Sequence, residues 1–279
     1  MSEERPDPIL GYLLDGQYLI ERFVCDETLG RVYEAKLEKS GEKVLVKVLH
    51  TQLVDQPEAF ARWGREMLAT ATIQHRNAVR MLDFGDHLRF HYLVLEHLDA
   101  TTLEETLFKT PKLKWERVVQ YAWQIAGALQ VAHEDKIFHR NLCPGSILIL
   151  NNRPDKLKVR DFGLARLFDE TEDQITHTGQ RIGHTAYMAP EYIEHSLVGP
   201  HVDIYGLGVL MFQMITGRTP FEGKPVEVMS KHLTEEPPAP SQFAHLPEWL
   251  EILILRCLAK DPAIRPESCQ ILRKHLEQG

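Results

Sequence analysis

The chain has 279 residues, 43% hydrophobic and 26% charged, with a formal net charge of −8. That length suits one large domain or two packed lobes with a real core, and the acidic balance disfavours nonspecific nucleic-acid binding. No apolar run approaches the ~18 residues of a membrane span, and the four cysteines, at 25, 143, 257 and 269, form no CxxC pair, so a disulfide framework or zinc site is not expected and a reducing cytoplasm fits.

Residues 1–16 read as a polar leader, whose acidic start MSEERPDP lacks the apolar core of a secretory signal. QYLIERFV, GRVYEAKLE and EKVLVKVL are β-rich runs joined by turn residues such as Ser40-Gly41. PEAFARWGREMLATATIQ has helical spacing and opens on Pro57 and the acidic Glu58. AVRMLDFGDH and RFHYLVLEHL predict two more strands, closing a small β-rich lobe near Leu98. Beyond it the pattern becomes helical. WERVVQYAWQIAGALQVAHED places Val118, Ala122, Ile125, Leu129 and Ala132 on one face. DIYGLGVLMFQMITG is apolar nearly all round, which predicts a buried helix stopped by Gly217. PEWLEILILRCLAKDP predicts a helix ending before Pro262, and EEPPAPSQ a surface loop.

Four motifs run across these elements. Lys47 ends the strand VLVK, and Glu66 follows on the helix. FHRNLCPGSILIL contains His139 to Ser146, and Asp161-Phe162-Gly163 lies 22 residues after His139. Pro190 and Glu191, in AYMAPE, follow Phe162 and Gly163 by 28 residues. In this order and on these element types the set resembles the protein kinase superfamily, in particular bacterial eukaryotic-like Ser/Thr kinases, over roughly residues 17–275.

The resemblance implies an α+β, bilobal protein kinase-like fold: a small β-rich N-lobe with one helix over 17–97 and a larger helical C-lobe over 98–279. It implies ATP and Mg²⁺ as cofactors, since phosphoryl transfer depends on positioning and charge neutralisation. Lys47 would hold the α- and β-phosphates, braced by Glu66. Asp161 would ligate Mg²⁺, a hard cation that prefers carboxylate oxygen. Val32, Leu45 and Leu148 match the adenine-flanking positions, Leu95 the gatekeeper, and Glu96 to Leu98 the hinge. Phe162 would pack beneath the helix, Asp203 begins the buried helix, and Glu191 would pair with Arg265 of DPAIRP.

The departures from the family pattern fall on chemistry. Asn141 occupies the catalytic-base position, and an amide cannot take up a hydroxyl proton. Cys143 replaces the loop lysine, and Ser146 replaces an asparagine metal ligand, leaving a poorer reach for Mg²⁺. His184 stands where the activation-segment threonine belongs, with Thr185 one position late; His184 as a new base is an alternative. In CDETLG, Cys25, Glu27 and Gly30 fill the three glycine-loop positions, so only one glycine survives, and Asp26 and Glu27 place negative charge near an anionic ligand. Leu45 replaces an alanine and crowds the base.

These departures predict a pseudokinase: weak or no ATP binding, little or no phosphotransfer, and a scaffold or allosteric role toward protein partners such as an active kinase or its substrate, with neither nucleic acid nor membrane engaged by this segment. The segment Leu164 to Ala189, with Thr171, Thr176 and Thr178, is the expected binding face, with Arg140 poised to pair with a phosphate placed there by another kinase. The rival reading is a low-activity Ser/Thr kinase using Lys47 and Asp161 with one Mg²⁺. A third is redox sensing through Cys25 and Cys143.

Overall fold

A computed structural model describes residues 9–162 and 184–279. The chain divides into two compact units, Met1–Ala71 with Val79–Leu98, and Thr72–Ala78 with Asp99–Gly279.

The first unit is built on an antiparallel sheet of strands β1 (Leu13–Leu14), β2 (Tyr18–Asp26), β3 (Gly30–Leu37), β4 (Lys43–Leu49), β5 (Met81–His87) and β6 (Phe90–Glu96), in the order β1-β2-β3-β4-β6-β5. Its core gathers Ile20, Tyr33, Ala35, Val44, Val46, Tyr92 and Val94, the β-branched and aromatic positions that alternate along each run. Part of the stretch expected as a polar leader, from Ile9 onward, is folded into this unit. Ile9 and Leu14 belong to this core, and Leu13 and Leu14 pair with Leu19 and Tyr18. Helix α1 (Pro57–Thr72) buries Ala59, Trp63, Glu66 and Ala69, the 3–4 spacing of one helical face.

In the second unit the apolar stripe read from the sequence is the inner face of α3 (Trp115–Glu134), where Val118, Ala122, Ile125, Leu129 and Ala132 are all fully buried. Helix α5 (Pro200–Thr216) is buried along nearly its whole length and ends at Gly217, whose φ of 79° is the left-handed cap expected of glycine. Helices α4 (Pro190–His195), α6 (Pro225–Thr234), α7 (Glu248–Cys257) and α8 (Cys269–Gln278) complete the helical body.

The pattern beyond Leu98 is less uniformly helical than the sequence suggests. A three-stranded sheet, β7 (Ala100–Thr102), β8 (Ile147–Leu150) and β9 (Arg153–Val159), lies in this unit, together with α2 (Leu103–Lys109), which opens on a capping box between Thr102 and Glu105. Residues Thr72–Ala78 join the second unit because Asn77 donates to Gln124 Oε1 at 2.9 Å and to the Leu157 carbonyl at 2.8 Å, while Val159 N donates to the Asn77 carbonyl at 2.7 Å. Among the described residues no helix is long and apolar enough to cross a membrane.

Candidate functional site

The candidate residues fall into two groups, one in each unit. In the first, the β3–β4–β6 register sets one face of the sheet. Val32 lies opposite Lys47, Glu34 opposite Leu45, and Leu45 opposite Leu95. Directly paired residues share a face, and so do residues two apart on one strand. Val32, Leu45, Lys47 and Leu95 are therefore gathered on one face. Glu96 ends β6 and Leu98 follows it, half-buried; Leu148, on β8, belongs to the other unit.

Lys47 is 2% exposed and its ammonium donates to Glu66 Oε1 from α1. It also forms an ion pair at 2.7 Å with Glu27 Oε2, and it lies 5.9 Å from the centroid of the Trp63 ring. One buried cation is thus held between two carboxylates. Glu27 sits in the β2–β3 hairpin, at a position where the family pattern has glycine. The glycine that remains, Gly30, answers to packing: a Cβ there would collide with the Val48 carbonyl of β4.

The second group is the loop His139–Ser146 with Asp161. Its backbone is anchored by Asp203 at the start of α5. Asp203 accepts from His139 N at 2.8 Å and from Arg140 N at 2.7 Å, and its Oδ2 lies 2.8 Å from His133 Nε2. Burial works to raise the Asp203 carboxyl, but the His133 contact and the backbone donors outweigh it and hold the group below its ordinary value. Arg140, anchored in this way, adopts left-handed backbone at φ 61°, a conformation that costs a non-glycine residue about 1–2 kcal/mol; Asp161 adopts it too, at φ 66°. His139 Nε2 meets the Arg160 carbonyl at 2.9 Å, and since a carbonyl only accepts, Nε2 carries the proton. The His139 ring also meets Phe162 edge-on at 5.1 Å.

On this frame stand the residues at which the sequence departs from the family pattern. Asn141 is half-buried at the base position. Burial pushes the Cys143 thiol above its ordinary value, so Cys143 supplies no charge where the family has lysine. Ser146 Oγ donates to the Cys143 carbonyl at 2.8 Å and accepts from Cys143 N at 3.2 Å; the hydroxyl expected to reach a metal serves its own tight turn. Asp161 keeps a carboxylate suited to Mg²⁺, ion-paired at 3.2 Å with Arg160. The His184 side chain and the stretch 164–183 of the expected binding segment lie outside the described residues. All four cysteines are free thiols.

Farther along, Glu191 and Arg265 pair through both carboxylate oxygens, at 2.7 and 2.8 Å, as the family pattern implies.

Two buried polar residues have no motif signal. Glu34 shares the face of Val32 and Leu45 and is held ionised, near pKa 2, by its hydrogen bonds to Lys43 and Arg22. The β3 alternation places it on the face of Val32, opposite the Tyr33 and Ala35 core. His232 of α6 lies wholly buried between the Tyr205 hydroxyl, 2.7 Å from Nδ1, and the Ala186 carbonyl, 3.0 Å from Nε2. Only the fold brings those three segments together.

Comparison with known proteins agrees with this geometry. Residues 20–276 match the family model for the protein kinase domain. The chain is 34% identical to Serine/threonine-protein kinase pkn3 of Myxococcus xanthus over 97% of its own length and 51% of that protein. It is 31% identical to Serine/threonine-protein kinase PrkC of Bacillus subtilis, over 94% of this chain and 40% of the relative. It therefore spans about half or less of these curated relatives. The crystal structure of the Mycobacterium tuberculosis PknI kinase domain superposes with a TM-score of 0.71 at 21% identity, covering 96% of this chain and 98% of that one, which shows the shared bilobal fold.

Proposed function

Starting from the membership of this chain in the protein kinase domain family, we propose that it is a pseudokinase, a kinase-fold domain with impaired phosphotransfer that serves as a scaffold or regulatory partner of other proteins. The observation that carries this reading is Asn141. The loop around it keeps the anchoring to Asp203 that positions a catalytic base, yet the residue presented has no basic atom. Loss of a general base lowers rate by about 10²–10⁴-fold. Neutral Cys143 and the engagement of Ser146 in its own turn support the same conclusion. Nucleotide binding is weak on this reading. Lys47 and Glu66 suit the phosphates and Asp161 suits one Mg²⁺, while Leu45, Glu27 and Ser146 do not fit the pattern. The partner is an active kinase or its substrate, recognised through the segment 164–189, where Arg140 would receive a phosphorylated threonine.

A second reading has a specific observation behind it. The relatives carry the name serine/threonine-protein kinase, and the Lys47–Glu66 pair is kept; both favour a slow Ser/Thr kinase using Lys47 and Asp161 with one Mg²⁺. Incubation with labelled ATP separates the two. The pseudokinase reading expects no incorporation into the chain or a generic protein substrate above an Asp161→Ala control. Robust, Asp161-dependent labelling establishes the kinase reading instead.

A further inference from the structure

The hairpin that carries Glu27 is closed on itself and pinned to the end of β4. Glu27 N donates to the Gly30 carbonyl at 2.8 Å, and His50 N donates to the Leu29 carbonyl at 3.0 Å. The His50 ring, through Nε2, reaches the Glu27 carbonyl at 3.0 Å, and Leu29 is buried. The backbone on both sides of Glu27 is thus fastened, and its carboxylate is delivered to the Lys47 ammonium at 2.7 Å. The Glu27 side chain is 20% exposed against 2% for Lys47, so the carboxylate stands between the ammonium and solvent.

The Lys47 ammonium thus faces two carboxylates, Glu66 and Glu27. An incoming phosphate meets a lysine already paired with both, and the like charge of Glu27 at contact range. An uncharged ligand meets no such penalty. We propose that Glu27 is a built-in counter-anion of Lys47 that sets the ligand selectivity of the nucleotide site, favouring uncharged purine nucleosides and admitting nucleoside phosphates only when its carboxylate is displaced. This deepens the proposed function and rests on its assignment of Lys47 to nucleotide phosphates. It differs from simple loss of a glycine, because the penalty resides in the charge of the side chain and not in its bulk.

The test is calorimetric titration of the intact chain with ATP and, separately, with adenosine, in the presence of Mg²⁺, for the parent, Glu27→Gln and Glu27→Gly. Glu27→Gln keeps the bulk and removes the charge. The proposal expects ATP affinity to rise about tenfold or more in both variants, ~1.4 kcal/mol per tenfold, with adenosine affinity unchanged within about twofold and the ATP gain shrinking as salt is raised. Three results overturn it: ATP affinity in Glu27→Gln within about twofold of the parent, including no detectable binding in either; an equal gain for adenosine, which would mean a loosened hairpin; or a gain in Glu27→Gly alone, which would mean bulk. Circular dichroism and thermal unfolding of the unliganded variants confirm that each is folded. Phosphotransfer is read on the same samples with labelled ATP, so Asp161-dependent labelling would remove the pseudokinase reading without touching the selectivity result, and the converse holds.

Discussion

The two oxygens of the Glu191 carboxylate each accept a hydrogen bond from one terminal nitrogen of the Arg265 guanidinium, at 2.7 and 2.8 Å, and the arginine side chain is wholly buried. Arg265 also donates to the carbonyls of Ala259, Lys260 and His201 and lies over the Tyr205 ring at 4.8 Å. It ties the start of α4 to the start of α5 and to the chain following α7.

Removing that tie is expected to be severe. Arg265→Ala strands a nearly buried carboxylate and three carbonyls, and breaking a buried pair costs about 3–5 kcal/mol. Glu191→Ala should cost less, because the three carbonyl bonds survive. Arg265→Lys should not restore stability, since a point ammonium cannot reproduce the two-pronged geometry. Urea midpoints for the three variants check the order; equal midpoints for Arg265→Ala and Glu191→Ala would contradict it.

His232 predicts an acid-labile step. Burial, with Lys260 nearby, depresses its pKa from 6.5 to about 4. The donor–acceptor pattern agrees, because protonating Nδ1 would remove the acceptor facing the Tyr205 hydroxyl. A folded pKa below the unfolded one means that the unfolded chain takes up the proton first. Stability attributable to His232 is complete above about pH 6.5 and declines as the pH falls toward about 4, by about 3 kcal/mol at most from 1.4 kcal/mol per unit. Unfolding midpoints for the parent and for His232→Gln, which can still donate to Ala186, should converge as pH falls through this window. Parallel profiles would show that His232 does not drive the slope.

Cys143 bears on the redox reading. Its raised pKa keeps it a thiol at neutral pH, and Cys257 is pushed up to about 12 by burial. Both should alkylate with iodoacetamide at pH 7.5 more slowly in the native protein than in urea, by about tenfold or more, since only the thiolate attacks. Mass spectrometry of the tryptic peptides gives the rates. Native labelling of Cys143 as fast as in urea would revive redox sensing.

One substitution made in two helices should change stability in opposite directions. Gly64, inside α1, has nothing within 4 Å of an added methyl, so Gly64→Ala should stabilise by about 0.5–1 kcal/mol through helix propensity. At Gly208 of α5 the methyl would meet Cys257 Cβ of α7 at 2.7 Å, and Gly208→Ala should cost about 1–3 kcal/mol from overpacking. Thermal unfolding of the two variants decides; a gain at both positions would mean that α5 and α7 can part without cost.

What the sequence by itself determined is whatever lies in periodicity and in ordered motifs. The strands of the first unit, the face of α3, the all-round burial of α5 and its stop at Gly217 are local consequences of side-chain spacing and backbone freedom. The identity of the residues at 141, 143 and 146 needs no coordinates to raise doubt about catalysis. Tertiary structure decided what those residues contact. The buried residues Ile9 and Leu14 could not be told from a leader, because two or three apolar residues carry no period. The β7–β9 sheet escaped because its strands are short and β7 pairs with β8 across about fifty residues. That His232 is caged between Tyr205 and Ala186, and that Glu27 rests on Lys47, were equally hidden. An ion pair or a buried hydrogen bond between residues distant in sequence leaves no local trace in either partner; it exists only once the chain has closed the loop between them.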